Sequence, residues 1–147
     1  DALAAAGIAV ELTDSVAPEL WGKLLYICAL SGMICIARAT FPEILANPGT
    51  EQMTWAVMRE VEAVAEAKGI TLRAHAVEQT MERLRGVTGG GISSMYTDLQ
   101  AGGRLEGHVL NGAVSRFGKE LSVSTPVNDF ITACLTIAHD RAVKSRG

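Results

Sequence analysis

The amino-acid sequence predicts an all-α fold, a bundle of about six helices around one long buried central helix, and three observations carry that expectation. Apolar residues recur at helical spacing through most of the chain, as in Val77, Met81 and Leu84. Helix starts and stops punctuate the runs, among them Pro18, Gly69, Gly102-Gly103 and Pro126. Only one short stretch, Ile8-Ala9-Val10-Glu11-Leu12, alternates like a strand.

Taken in order, Asp1 to Ala6 is an alanine-rich run stopped by Gly7, and the strand-like stretch follows. One strand cannot satisfy its backbone groups alone, so residues 1–14 read as the tail and linker of a preceding sheet domain, with 15–147 as the helical domain. Asp14 or Ser15, with Pro18 in the first turn, starts a helix running to near Arg38. Its middle is apolar on nearly every face, which suits the centre of a bundle. A second helix runs from the Asn47-Pro48-Gly49-Thr50 turn to Lys68, with Met53, Val57, Val61 and Val64 facing inward. Arg73 to Arg85 forms a third, and Thr88-Gly89-Gly90-Gly91 breaks it. Ser93 or Ser94 caps a short helix to about Gln100, and Leu105, Val109, Ala113 and Phe117 mark the next. Thr125-Pro126 opens the last, which turns Val127, Phe130, Ile131, Cys134 and Ala138 toward the core.

Composition narrows the function. At 147 residues, 48% hydrophobic and 20% charged, the chain is long and apolar enough for one folded domain. A net charge of -3 without a basic stripe argues against nucleic acid as a partner. Cys28, Cys35 and Cys134 lie in apolar runs with no Cys-x-x-Cys pattern, and read as reduced core residues of a cytoplasmic protein. The apolar stretch Leu24 to Ala37 is shorter than the roughly 18 to 20 residues of a membrane span, so a buried helix is expected. His75, His108 and His139 are dispersed without carboxylates at ligand spacing, and no metal is expected. The triplet Gly89 to Gly91 follows a helix and lacks the Gly-x-Gly-x-x-Gly spacing of a dinucleotide loop.

Three places could carry chemistry. Lys23 lies between Trp21 and Leu24, and an ammonium partly stripped of water gives up its proton more readily; the plainer reading is a lysine that snorkels to solvent. Ile27 and Ser31 follow one and two turns later on the same face, and of the two only Ser31 offers a hydrogen bond. Ser93-Ser94-Met95-Tyr96-Thr97-Asp98 brings two hydroxyls to a helix start, either as a seat for a small carboxylate or as simple capping. Glu106 sits near the start of the next helix, where dipole compensation alone would also account for it.

In sequence order, Leu20-Trp21-Gly22-Lys23-Leu24, Ser93 to Asp98, Glu106 with Leu110-Asn111-Gly112, and Thr125-Pro126-Val127-Asn128 resemble the C-terminal domain of the ketopantoate reductase (2-dehydropantoate 2-reductase) family. The resemblance covers nearly the whole chain. It implies the helical fold of the C-terminal domains of 6-phosphogluconate dehydrogenase-like reductases, and a Rossmann domain in front that binds NADPH. It also implies a small 2-oxo acid reduced in the cleft between the two, with pantothenate biosynthesis as the setting. Carried over residue by residue, it makes Lys23 the general acid, Glu106 its catalytic partner on the substrate, and Ser94 a substrate-binding residue. Ser31, Ile27 and Asp98 complete the expected substrate surface. Well-known members carry asparagines where this chain has Ile27 and Ser31, which points to a related but different oxo acid. On this reading the chain alone binds no NADPH, and a homodimer is a possible partner state. The competing readings are a stand-alone helical dimerisation or interaction module, and the helical half of another hydroxy-acid dehydrogenase.

Overall fold

The computed structural model describes residues 2–7, 15–87 and 92–145. The strand-like stretch at 8–12, the proposed cap Asp14 and the Thr88 to Gly91 break lie outside the described residues. Those described form an all-helical domain. A short helix α1 (Ala2–Ala5) precedes α2 (Ala17–Ile27), which continues through a π-helical turn (Cys28–Gly32) into α3 (Met33–Ala37). Then come α4 (Phe41–Ala46), α5 (Pro48–Ala67), α6 (Ala76–Arg85), α7 (Ser94–Gln100), α8 (Asn111–Leu121) and α9 (Pro126–Lys144).

The expected long helix is therefore real, from Ala17 to Ala37, with Pro18 in its first turn and Arg38 in the left-handed conformation at its end. Val16, not Ser15, occupies the N-cap position. The helix shares the centre with α5, whose Val57, Met58, Val61, Val64 and Ala65 are fully buried. It packs on α5 and α6, while α8 and α9 pack on each other and on α5, and α9 also meets α3. Trp21 of α2 meets Phe117 of α8, ring centroids 6.0 Å apart.

Several expectations change at this level. The membrane argument from Leu24 to Ala37 does not hold for the whole helix: Ala17–Ala37 is 21 residues long and contains an 18-residue window of mean hydropathy 1.8, enough in length and composition to cross a bilayer. Half of that apolar window is buried against its neighbours, as in a core helix. Met53 and Phe130, assigned inward, are exposed; Thr54 and Met58 take the inner face of α5, and Ile131 and Leu135 that of α9. A one-residue rotation on a helix is 100°, enough to turn a flanking apolar residue outward.

Helix α4 is an element the periodicity did not reveal. Thr40 and Glu43 form a capping box, with the Thr40 amide donating to Glu43 Oε2 at 2.8 Å and its hydroxyl at 2.6 Å. These bonds hold the Glu43 carboxyl below its ordinary range. Gly118 shows the closest approach in the bundle, since a Cβ there would lie 2.8 Å from both Thr125 Oγ1 and Cγ2 and 2.9 Å from the Val123 carbonyl. Only glycine lets the α8–α9 turn fold back this tightly.

Candidate functional site

Lys23, on the outer face of α2, is exposed, and has no hydrogen-bond or ion-pair partner among the described residues. The desolvation expected from its apolar neighbours in sequence is absent here, because Trp21 and Leu25 turn into the core while Lys23 turns out. It opens onto a groove of about 660 Å³ between α2 and α6, whose walls include Gly22, Tyr26, Ile27, Thr80 and Arg83. Arg83 stacks on the Tyr26 ring, 4.9 Å from its centroid, and Arg73 donates to Glu19 at 2.7 Å and 3.1 Å at the groove's end. Among the described residues that line the groove, Lys23, Arg73 and Arg83 are basic and Glu19 is acidic, with Arg73 paired to Glu19.

Lys23, Ile27 and Ser31 lie along one helix over about 12 Å at 1.5 Å per residue. Ile27 is half-buried in the groove wall, and Ser31 is buried in the π-helical turn. That turn packs against α7, which brings Ser31's segment to the helix that starts at Ser94. Ser93 is the cap: its hydroxyl accepts the Tyr96 amide at 3.2 Å, and its carbonyl accepts Tyr96 and Thr97. Ser94 and Asp98 are left exposed.

Glu106 is also exposed, but it does not start a helix. It lies in a turn whose carbonyl accepts Val109 and Leu110 amides at 2.9 and 3.1 Å, and α8 begins only at Asn111. The spacing of Leu105 and Val109 imitates a helical stripe, whereas Gly107 packs its backbone against Leu135 of α9. His139 Nδ1 takes the Leu105 amide at 3.1 Å and fixes the turn next to Glu106. No hydrogen bond or ion pair joins Glu106 to Lys23 among the described residues. The structure thus unites Lys23 with Ile27 in one groove and Ser31 with the Ser94 helix, and leaves Glu106 on a separate turn.

Thiol chemistry is excluded for two of the cysteines. Burial pushes the Cys28 and Cys35 thiols up, Cys35 to about 11, so neither is a thiolate near neutral pH. Among the described residues no group of His, Cys, Asp and Glu is arranged to hold a metal.

Sequence reasoning quoted Asn111 and Asn128 without giving them work, yet both are fully buried. Asn111 Nδ2 donates to Asn128 Oδ1 at 2.9 Å and to the Cys28 carbonyl at 3.3 Å. Asn128 Nδ2 donates to Glu60 Oε2 at 2.7 Å and to the Val57 carbonyl at 3.3 Å. The Glu60 carboxylate also accepts the first free amides of α9, Val127 and Asn128, each at 2.9 Å. Asn111 Oδ1 is buried without a hydrogen-bond partner among the described residues. Such an acceptor costs about 1 to 3 kcal/mol. The available signal was an asparagine placed where each helix start turns apolar.

Residues 15–139 match the family model described as ketopantoate reductase PanE/ApbA C terminal. The chain belongs to this family. It is 31% identical over 119 residues to the 2-dehydropantoate 2-reductase of Pyrobaculum aerophilum, covering 81% of this chain and 42% of that protein. The crystal structure of a PanE/ApbA family ketopantoate reductase from Ralstonia eutropha JMP134 superposes with a TM-score of 0.86 at 32% identity, over 95% of this chain and 46% of that one. D-mandelate dehydrogenase, solved with NADH and anilino(oxo)acetate, shares the fold at a TM-score of 0.83 and 24% identity, over 97% of this chain and 59% of that one. The chain therefore spans less than half the length of the ketopantoate reductase relatives it matches, and its bundle is the family's helical C-terminal domain.

Proposed function

We propose that this chain is the substrate-binding half of a cytoplasmic, NADPH-dependent 2-oxo acid reductase resembling 2-dehydropantoate 2-reductase, completed by a nucleotide-binding domain ahead of it, of which residues 1–14 are the end. The observation that carries the reading is the family match over 15–139 together with Lys23, partnerless and exposed on the groove. The chain has no Gly-x-Gly-x-x-Gly run, so the nicotinamide cofactor falls to the preceding domain. When bound there, NADPH supplies a hydride to the carbonyl carbon. Lys23 gives its proton to the carbonyl oxygen, which turns the 2-oxo acid into a 2-hydroxy acid and leaves a neutral amine to be reprotonated from solvent. Ser94 and Ser31 offer hydroxyls to the substrate, Asp98 flanks them, and Glu106 contacts the substrate and organises the lysine once the second domain closes the cleft. Closure also supplies the desolvation that Lys23 lacks in this domain alone. Free thiols at Cys28, Cys35 and Cys134 fit a reducing compartment.

Ile27 is the specificity position in this scheme, because it brings an apolar surface to the groove wall next to Lys23. In the full-length enzyme, Ile27→Asn will raise kcat/KM for ketopantoate, whose hydroxyl it can pair, relative to less polar 2-oxo acids by about tenfold or more. Steady-state assays across a panel of 2-oxo acids with NADPH and NADH test the whole reading. No reduction of any of them would end it, and an unchanged ratio in Ile27→Asn would remove position 27 from the site.

A second reading, self-association, has its own observation. Phe130 and Ile137 are 60% and 57% exposed, seven residues apart on one face of α9. A ketopantoate reductase from Staphylococcus aureus is described as dimeric. Analytical ultracentrifugation should find a dimer that Phe130→Glu dissociates, and a monomeric parent protein would dismiss this face as an interface.

A further inference from the structure

We infer that Asn111 is a positioning residue of the substrate site: it holds the π-helical turn Cys28–Gly32 in place, and through that turn brings Ser31 into line with Lys23 and Ile27. The inference rests on the reading of those three residues as one substrate surface. In an uninterrupted α-helix each residue turns 100°, so Ser31, eight residues after Lys23, would stand about 80° away from it around the axis. A π-helical turn takes more residues per revolution, so each of them rotates less. Passing through this turn, position 31 falls back around the axis toward the face of Lys23. Ser31 is mostly buried and its hydroxyl makes no hydrogen bond among the described residues, so its donor is left for whatever occupies the site.

No proline interrupts Leu20 to Ala37, and the Ser31-Gly32 pair permits a wide turn without fixing one. The cause lies across the core. The Cys28 carbonyl accepts Asn111 Nδ2 at 3.3 Å. At the other end of the turn, a Cβ on Gly32 would lie 3.0 Å from both Asn111 Nδ2 and Oδ1, so the asparagine amide fills the space that a side chain at 32 would take. Its orientation is fixed as well. Asn128 turns its Nδ2 to Glu60 and the Val57 carbonyl, which leaves its Oδ1 for Asn111 Nδ2 at 2.9 Å. Flipping the Asn111 amide would set oxygen against two acceptors, Asn128 Oδ1 and the Cys28 carbonyl. A chain of bonds thus runs from the α9 N-terminus through Glu60, Asn128 and Asn111 to the segment that presents Ser31.

A purely structural role for Asn111 predicts a loss of stability that is blind to Ser31, whereas positioning predicts coupling. The test is a double-mutant cycle in the full-length enzyme with ketopantoate as the varied substrate, using Ser31→Ala, Asn111→Ala, Gly32→Ala and the pairs. Gly32→Ala pushes on the same amide from the helix side and keeps the cycle readable if Asn111→Ala does not fold. Asn111→Ala and Gly32→Ala should each raise the KM for ketopantoate by about tenfold, with the KM for NADPH unchanged, and the increase should vanish in the Ser31→Ala background. Equal increases with and without Ser31 would overturn the inference while leaving the substrate surface intact. Ser31→Ala with an unchanged KM would overturn it by removing Ser31 from that surface, and Lys23→Ala then reports separately whether the reductase reading stands.

Discussion

Lys23→Ala in the full-length reductase will lower kcat by about 10² to 10⁴-fold, the usual worth of a positioned general acid. The side chain is exposed and makes no hydrogen bond or ion pair among the described residues, so its removal leaves no buried group unpaired. Thermal stability should therefore stay within about 0.5 kcal/mol of the parent, as for surface substitutions elsewhere. That separation makes the experiment clean, because a fall in kcat cannot then be charged to unfolding. Lys23→Arg adds a second discrimination: guanidinium keeps the positive charge for the substrate carboxylate but does not surrender a proton. It should hold KM near that of the parent while kcat remains as low as in Lys23→Ala. The measurement is steady-state reduction of the best 2-oxo acid beside a binding isotherm for NADPH, which should not move. Unchanged turnover in Lys23→Ala would remove the lysine from the chemistry altogether.

The parts of this domain that a sequence shows best are those ruled by local rules. Pro18 and Pro126 set two helix starts, Val77, Met81 and Leu84 set the inner face of α6, and Ser93 caps α7 as its hydroxyl and spacing suggest. What local rules hide is what tertiary contacts impose. The Ser31-Gly32 pair only permits the π-helical turn, and the contact that we infer to hold it comes from Asn111, 83 residues away from Cys28 along the chain. The groove beside Lys23 is equally non-local, since its second wall, with Thr80 and Arg83, comes from α6. Glu106 was misplaced for the opposite reason: Leu105 and Val109 have helical spacing by coincidence, and the backbone of Gly107 breaks the helix to pack on Leu135. The catalytic assignments themselves came from resemblance. Lys23, Ser94, Asp98 and Glu106 are all exposed, and no property of those side chains alone singles them out.

The largest effect on stability should come from Phe41→Ala. Phe41 opens α4, the short helix that periodicity missed and that packs on α3, α5 and α6, and is itself fully buried. The helix is too short to persist on propensity, so its capping box and this ring must hold it in place. Thr50 adds a tether from the next helix, its hydroxyl donating to the Ile44 carbonyl at 2.6 Å. Truncating the ring leaves a cavity in the hydrophobic core cluster, whose packed neighbours limit collapse, and the cost should be about 3 to 5 kcal/mol. Against a total of about 5 to 15 kcal/mol for a typical domain, that is at least about a fifth of what holds it folded. Phe41→Leu, which leaves a smaller void, should fall between the two. Urea unfolding followed by the fluorescence of the two tryptophans, Trp21 and Trp55, reads the shift in midpoint. Because α3 continues the helix that carries Lys23, Ile27 and Ser31, the same titration should show no separate early loss of α4: the signal at Trp21 in α2 and at Trp55 in α5 should move together. Two transitions, or a Phe41→Ala midpoint equivalent to a loss below about 1 kcal/mol, would mean that α4 is an appendage and that the core closes without it.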